Sequence, residues 1–279
     1  FLATHKFYSP NDSKEAKIVI VRPVEKGNWE VKTLVELPFV HRFDIVTRNG
    51  VNYLIACALK SGHEYKEDWS MPGKVYAAVL PEDLEGFDED HQLELTVLKD
   101  QMLKNHGYYK VKKDGVDTCL ISCDEGVFRF TPPEGPEGDW KIEELVSEAA
   151  SDAVLVDLDG DGKEELALIS PFHGEHIYIY RETEEGYQKV YSYDTAEFAH
   201  AIYGGSLLGR PAVIIGHRKG ERNLLLFTWD QDKGDFRADV LDRDCGPANV
   251  LKYLRDGEEV LISTNREIDE VAMYTFEEE

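Results

Sequence analysis

The sequence predicts an all-β chain folded as a β-propeller, six blades of four antiparallel strands. Three observations carry this expectation. A hairpin glycine returns in phase along the chain, a fixed set of short apolar strands follows each such glycine, and the N-terminal segment falls into the same register.

The glycines close the turns in "TRNGVNYLIA" (Gly50), "KKDGVDTCLIS" (Gly115), "DGDGKEELALIS" (Gly162), "SLLGRPAVIIG" (Gly209) and "LRDGEEVLIS" (Gly257). The last three intervals are 47, 47 and 48 residues, while the first is 65 because residues 61–91 carry an insertion. A third strand follows each hairpin: "KVYAAVLP", "GVFRFTPP", "HIYIYRET", "NLLLFTWD" and "EVAMYTFE". A fourth follows a Gly-polar-aromatic turn in most units, as in "GDWKIEEL", "EGYQKVYSY" and "GDFRADVL". At the N-terminus, "FLATHKF", "AKIVIVRPV" and "WEVKTLVEL" read as strands two to four of a first unit. Four short strands every 46 or so residues is the spacing of propeller blades. The first and last units each lack one strand, which leaves five or seven blades as alternatives. The whole chain, 1–279, reads as a single domain.

Composition bounds the partners. A formal net charge of −24 argues against nucleic acid and against an anionic membrane surface. No apolar run reaches the roughly 18 residues of a membrane-spanning helix. The four cysteines, Cys57, Cys119, Cys123 and Cys245, show no disulfide-dense spacing. A reduced, cytoplasmic setting is the expectation, with a leader removed before Phe1 as the alternative.

One turn differs from the rest. Residues 154–170 read "VLVDLDGDGKEELALIS", where Asp157, Asp159 and Asp161 alternate ahead of Gly162. Calcium takes several oxygen ligands, and alternate positions of a tight turn can supply them. The twelfth position of an EF-hand would be Leu168, so that motif fails; Glu165 is the available fourth carboxylate. The flanks read as strands. The expected set is Asp157, Asp159, Asp161 and Glu165 with a backbone carbonyl near Lys163, holding a structural calcium ion. The other reading is a plain acidic turn.

These residues resemble the FG-GAP/VCBS type of β-propeller, in which "DxDxDGxxD" loops join the first two strands of a blade. "DLDGDGKEE" matches with Glu165 in the last place, and the other four turns keep the glycine without the aspartates. The resemblance implies one calcium site and a propeller over nearly the whole chain.

The histidines fall in register. His41 ("FVHRFD"), His106 ("KNHGYY") and His200 ("EFAHAIY") each precede their turn glycine by nine residues, at the start of the innermost strand. Asp152 takes that slot in the acidic-loop blade, and Ala248 or Asn249 in the last. His5, His63, His173 and His217 follow second strands, in loops expected on the same face, with His176 close by. Three imidazoles converging on a channel beside Asp152 suit zinc, manganese or another transition metal, or general acid–base work near neutral pH. Lys6, Lys60, Arg42, Arg218 and Arg266 add positive charge, although Lys60 and Arg218 singly read as solvated charges. Trp69, Tyr65 and Trp229 offer faces for a sugar ring, with packing inside a blade as the other reading of Trp229. The competing reading makes the aligned histidines a repeated inter-blade hydrogen-bonding device.

"FVHRFD" also resembles the propeller part of aldos-2-ulose dehydratases. The expected function is a His-lined mouth that binds or acts on a carbohydrate or sugar acid, in lyase or dehydratase fashion, with or without a metal. The alternative is a non-catalytic scaffold for a protein partner with a structural calcium. Whether the chain is an enzyme, and its oligomeric state, stay open at this level.

Overall fold

The computed structural model describes residues 1–276. Six antiparallel sheets follow one another along the chain, each a meander of three or four strands. This is a six-bladed β-propeller, and among the described residues the only helical segment is a single 3-10 turn at Arg266–Ile268. The chain divides into two compact units, Phe1–Glu144 and Leu145–Glu279.

The first unit starts with a three-stranded sheet of β1 (Leu2–His5), β2 (Lys17–Glu25) and β3 (Asn28–Glu36). The next has four strands, β4 (Val40–Arg48), β5 (Val51–Lys60), β6 (Pro72–Val79) and β7 (Thr96–Met102). The third holds β8 (Gly107–Lys113), β9 (Val116–Cys123), β10 (Gly126–Thr131) and β11 (Lys141–Val146). In the second unit, β12 (Asp152–Val156), β13 (Glu165–Ser170), β14 (His176–Thr183) and β15 (Gly186–Tyr193) form one sheet. Then come β16 (Ala199–Leu207), β17 (Arg210–His217), β18 (Leu224–Asp230) and β19 (Asp235–Asp242). The last sheet has three strands, β20 (Pro247–Arg255), β21 (Glu258–Asn265) and β22 (Glu270–Thr275). The expected final strand ran over 270–277, and its last residue lies outside the described ones.

The phased glycines do the work expected of them. Asn49–Gly50, Asp114–Gly115, Leu208–Gly209 and Asp256–Gly257 all have positive φ at both positions. That is the type I′ turn, whose twist matches a two-residue hairpin. Leu208 is the odd member, a leucine held at φ 52°.

Second strands read as continuous apolar runs because both of their faces are covered. In β5, Leu54 and Ala56 pack with Ile18, Ile20 and Leu34 of the preceding blade. Their neighbours Tyr53, Ile55 and Cys57 pack with Cys119, Ile121, Phe128 and Phe130 of the following one. Each large apolar side chain buried this way contributes about 1.5–3 kcal/mol. In the second unit, Ala201 and Ile214 meet Val250 and Leu261 in the same manner. The innermost strands come close there: a Cβ on Gly204 of β16 would lie 2.7 Å from Cβ of Val154 in β12.

The 61–91 insertion is two loops on either side of β6, residues 61–71 and 80–95. Strand β7, the fourth strand expected of this blade, follows the second loop; the sequence pattern did not place it because no Gly-polar-aromatic turn announces it.

Candidate functional site

His41, His106 and His200 share a backbone device. The residue two positions earlier, Phe39, Lys104 or Phe198, is held in the left-handed region at φ 61°, 51° and 58°. This kink delivers the chain into the innermost strand. The pairing register then slips at His41, between Val40 and Arg42, and at His200, between Ala199 and Ala201. Each is therefore the extra residue of a β-bulge, a device that re-aims a side chain at the end of a strand. The last blade slips at the same place, around Ala248.

The bulges set the imidazole tautomers. His200 Nδ1 lies 2.8 Å from the Ala248 carbonyl of the next blade, and His41 Nδ1 lies 3.2 Å from the His106 carbonyl of its own next blade. A carbonyl only accepts, so Nδ1 carries the proton and Nε2 is the basic nitrogen. Each bond contributes about 1 kcal/mol to blade-to-blade cohesion. The repeated inter-blade bond is thus real, and it is also what orients an imidazole for chemistry.

In the first unit, the His41 and His106 rings lie 4.5 Å apart. His106 is buried, and the Phe7 ring covers the His41 ring at 5.0 Å. His63 packs edge-on to Phe39, and its buried Nδ1 has no hydrogen-bond partner; Arg42 Nε and Asn105 Oδ1 are in the same state. Unsatisfied buried polar atoms of this kind mark places where a ligand or water can bond. His5 ends β1 and is exposed, and His91 lies beside Phe87 in the second insertion loop.

Lys60 is not a solvated charge. It is fully buried, donates to Asn11 Oδ1 and the Asp68 carbonyl at 2.7 Å each, and sits 4.3 Å from the Trp69 ring centre. Burial lowers its pKa. Asp68 accepts the Glu64 and Ser70 N–H groups, which hold its carboxyl down at about 2. The Trp69 face expected for a sugar thus carries the Lys60 ammonium. Tyr65 is exposed.

In the second unit, His173 follows β13 at φ 50° and stacks between Phe172 (3.9 Å) and Phe198 (4.6 Å). The His200 ring lies 4.9 Å away, and the two histidines have ligand nitrogens within 4.8 Å of each other. An open groove of about 330 Å³ is lined by His173, His176, Glu197, Phe198 and Lys219, with Pro171 and Gly174–Glu175 at its edge. His176 pairs with Asp194 at 3.0 Å. Asp152 is buried and caps its own strand start through Ala153 N–H.

His217 stands apart. It is 1% exposed, its Nδ1 donates to the Lys219 carbonyl at 2.9 Å, and its Nε2 accepts the Asn223 N–H at 3.0 Å. Both nitrogens are spent inside the β17–β18 loop, and burial lowers its pKa. Arg218 is likewise neutralised, 2.7 Å from Glu267 and over the Phe198 ring at 4.9 Å. Lys6 pairs with Glu15 at 3.0 Å. Two members of the expected positive rim, Lys6 and Arg218, are therefore compensated by carboxylates.

The carboxylates of the acidic loop are tied into its own backbone. Asp157 accepts from the Gly160 and Gly162 N–H groups, Asp159 from Asp161, and Asp161 from Lys163. Oxygens of Asp157, Asp159 and Glu165 lie within 4.8 Å of one another. Glu165 is buried, which raises its pKa; the Leu158 N–H and Arg181 only partly offset this. The feature that the sequence reading missed is Arg181 of β14, 2.6 Å from Asp159 and 3.2 Å from Glu165. Trp229 packs under Arg181 and against Phe236 rather than facing a ligand.

No family model matches the chain, and no curated protein does. Solved structures do. One is a putative 6-phosphogluconolactonase from Bacteroides uniformis ATCC 8492, 14% identical, with a TM-score of 0.58 over 99% of this chain and 78% of that one. The corresponding Bacteroides fragilis NCTC 9343 protein is 13% identical, with a TM-score of 0.57 over 99% of this chain and 76% of its own. The fold is shared. At this identity the likeness speaks to the β-propeller and not to the residues of the site.

Proposed function

We propose that this propeller binds or acts on a carbohydrate or sugar acid at the histidine-bearing ends of its innermost strands. The observation that carries the reading is the groove in the second unit. It combines an imidazole (His173), an ammonium (Lys219), a carboxylate (Glu197) and an aromatic face (Phe198) in about 330 Å³. An ammonium suits the carboxylate of a sugar acid, and an aromatic face suits the C–H side of its ring. His200 stands behind His173 with its tautomer set by Ala248. A neutral imidazole near pH 7 can take a proton α to a carboxylate, the step a lyase or dehydratase needs, or from an attacking water. The names of the two structural neighbours, as lactonases of a sugar acid, agree with this substrate class.

A zinc or manganese ion held by the histidines of the second unit, His173 and His200, remains the metal-dependent form of the proposal. Such an ion would supply Lewis acidity toward a carboxylate or carbonyl. His217 has no part in it, since its nitrogens hold backbone groups.

The test is calorimetric titration with gluconate, glucuronate and galacturonate, with elemental analysis of the purified protein alongside. Saturable binding lost in Lys219→Ala and His173→Ala, at unchanged circular dichroism, is the expected result. Absence of binding to all three acids, with or without added zinc or manganese, would overturn it.

The scaffold reading has one observation in its favour. In the first unit a groove of about 470 Å³ exposes Val79, Val97 and Ile142 beside Pro133, Pro136 and Trp140, an apolar surface of the kind protein partners use.

A further inference from the structure

The loop between β12 and β13 was expected to hold calcium, and its donors can be compared with what surrounds them. Both oxygens of Asp157 accept backbone N–H groups, from Gly160 at 2.9 Å and Gly162 at 3.0 Å. One oxygen of Asp159 accepts from Asp161 at 3.0 Å, and one of Glu165 from Leu158 at 2.8 Å. Of the oxygens left over, Asp159 Oδ2 and Glu165 Oε1 receive one arginine: the terminal nitrogen of Arg181 at 2.6 Å and its Nε at 3.2 Å. The Asp159 carbonyl accepts from Gln231 Nε2 at 3.3 Å. A calcium ion needs six to eight oxygens gathered at one point. This set is gathered around a planar fork instead, the geometry that a guanidinium matches with two carboxylates.

The arginine is also held from behind. Its guanidinium carbon lies 5.4 Å from the Trp229 ring centre and 5.8 Å from that of Phe236. Those rings pack edge to face at 5.0 Å and come from β18 and β19 of the next blade. The Glu165 side chain is 0% exposed, so its charge has to be matched from within the protein.

We propose that Arg181 is the resident cation of this loop, and that with Arg181 in place the fold does not call on calcium. A calcium ion entering the cluster would displace the guanidinium from Asp159 and Glu165 and then face it as a like charge. Removing the arginine converts the loop into a calcium-binding turn. The claim is independent of the sugar-acid reading, whose residues lie elsewhere in the fold.

The experiment is thermal unfolding of the full chain in EDTA and in millimolar calcium, for the natural protein and for Arg181→Met, which keeps an apolar stem against Trp229. The natural protein is expected to melt at the same temperature in both. The variant is expected to melt roughly 3–6 °C lower in EDTA and to recover most of that loss in calcium. Calorimetric titration should show calcium heat for the variant and none for the natural chain. A calcium-dependent rise in the natural protein as large as the variant's would overturn the proposal, as would no loss for Arg181→Met in EDTA. If Arg181→Met does not fold in EDTA, Asp161→Asn decides. Asp161 bonds Lys163 N–H and not Arg181. Equal melting of Asp161→Asn and the natural chain in calcium upholds Arg181 as the cation. A deficit seen only in calcium rejects it.

Discussion

His200 and His217 sit in one blade, a strand apart, and do opposite things with the same ring. His217 spends both nitrogens on the backbone of its own loop, from a position 1% exposed. His200 gives Nδ1 to the Ala248 carbonyl of the next blade and is aimed by a bulge. A histidine that closes a loop on both sides can only be structural. His200 is instead tied through Nδ1 to the next blade, as His41 also is, and the bond fixes which tautomer the ring adopts. Register against the turn glycine put His200 among the candidates, and position after a second strand put His217 there. Only the hydrogen-bond partners separate them.

The sharpest way to break this comparison is to truncate both. His217→Ala strands the buried Asn223 N–H and Lys219 carbonyl, and is expected to cost about 2–4 kcal/mol, read as a fall in the unfolding midpoint. Sugar-acid affinity should not move. His200→Ala is expected to cost about 1 kcal/mol, one blade-to-blade bond, and to abolish binding in calorimetry. Equal stability losses with unchanged affinity would make both histidines structural.

Proton linkage gives the smallest effect. Burial holds the folded-state pKa of His217 below its ordinary 6.5, so the unfolded chain binds the extra proton. Stability from this residue is present above about pH 6.5 and is lost as pH falls from there through the folded value. His217→Asn, which cannot titrate, should flatten the slope of unfolding free energy against pH in that window. An unchanged slope would mean that His217 takes up its proton equally in the folded and unfolded chain.

The blades were legible because Gly50, Gly115, Gly162, Gly209 and Gly257 repeat a local need, a positive φ in a tight turn. Strand β7 was not, since two loops separate it from the motif that marks fourth strands elsewhere. At the site, the register of His41, His106 and His200 could be read directly. The bulges could not, because a bulge is a property of pairing and leaves no mark in one strand. Arg181 escaped for a related reason. It lies 16 residues from Glu165 in a strand that reads like any other, and only the hairpin brings the two together. Lys60 was misjudged because burial of a charge depends on loops whose paths no periodicity reveals.

The bulge at Ala248 has a consequence for how this surface can change over time. The last blade keeps the kinked entry and the slipped pairing although it has no imidazole there. Backbone and side chain are thus separable inventions: the socket is maintained by the ladder, and what is plugged into it is open to selection. A lineage could exchange the residue at any one blade without rebuilding its neighbours, trying new rim chemistries one position at a time. Ala248→His would be such a move, made on a scaffold already shaped to receive it.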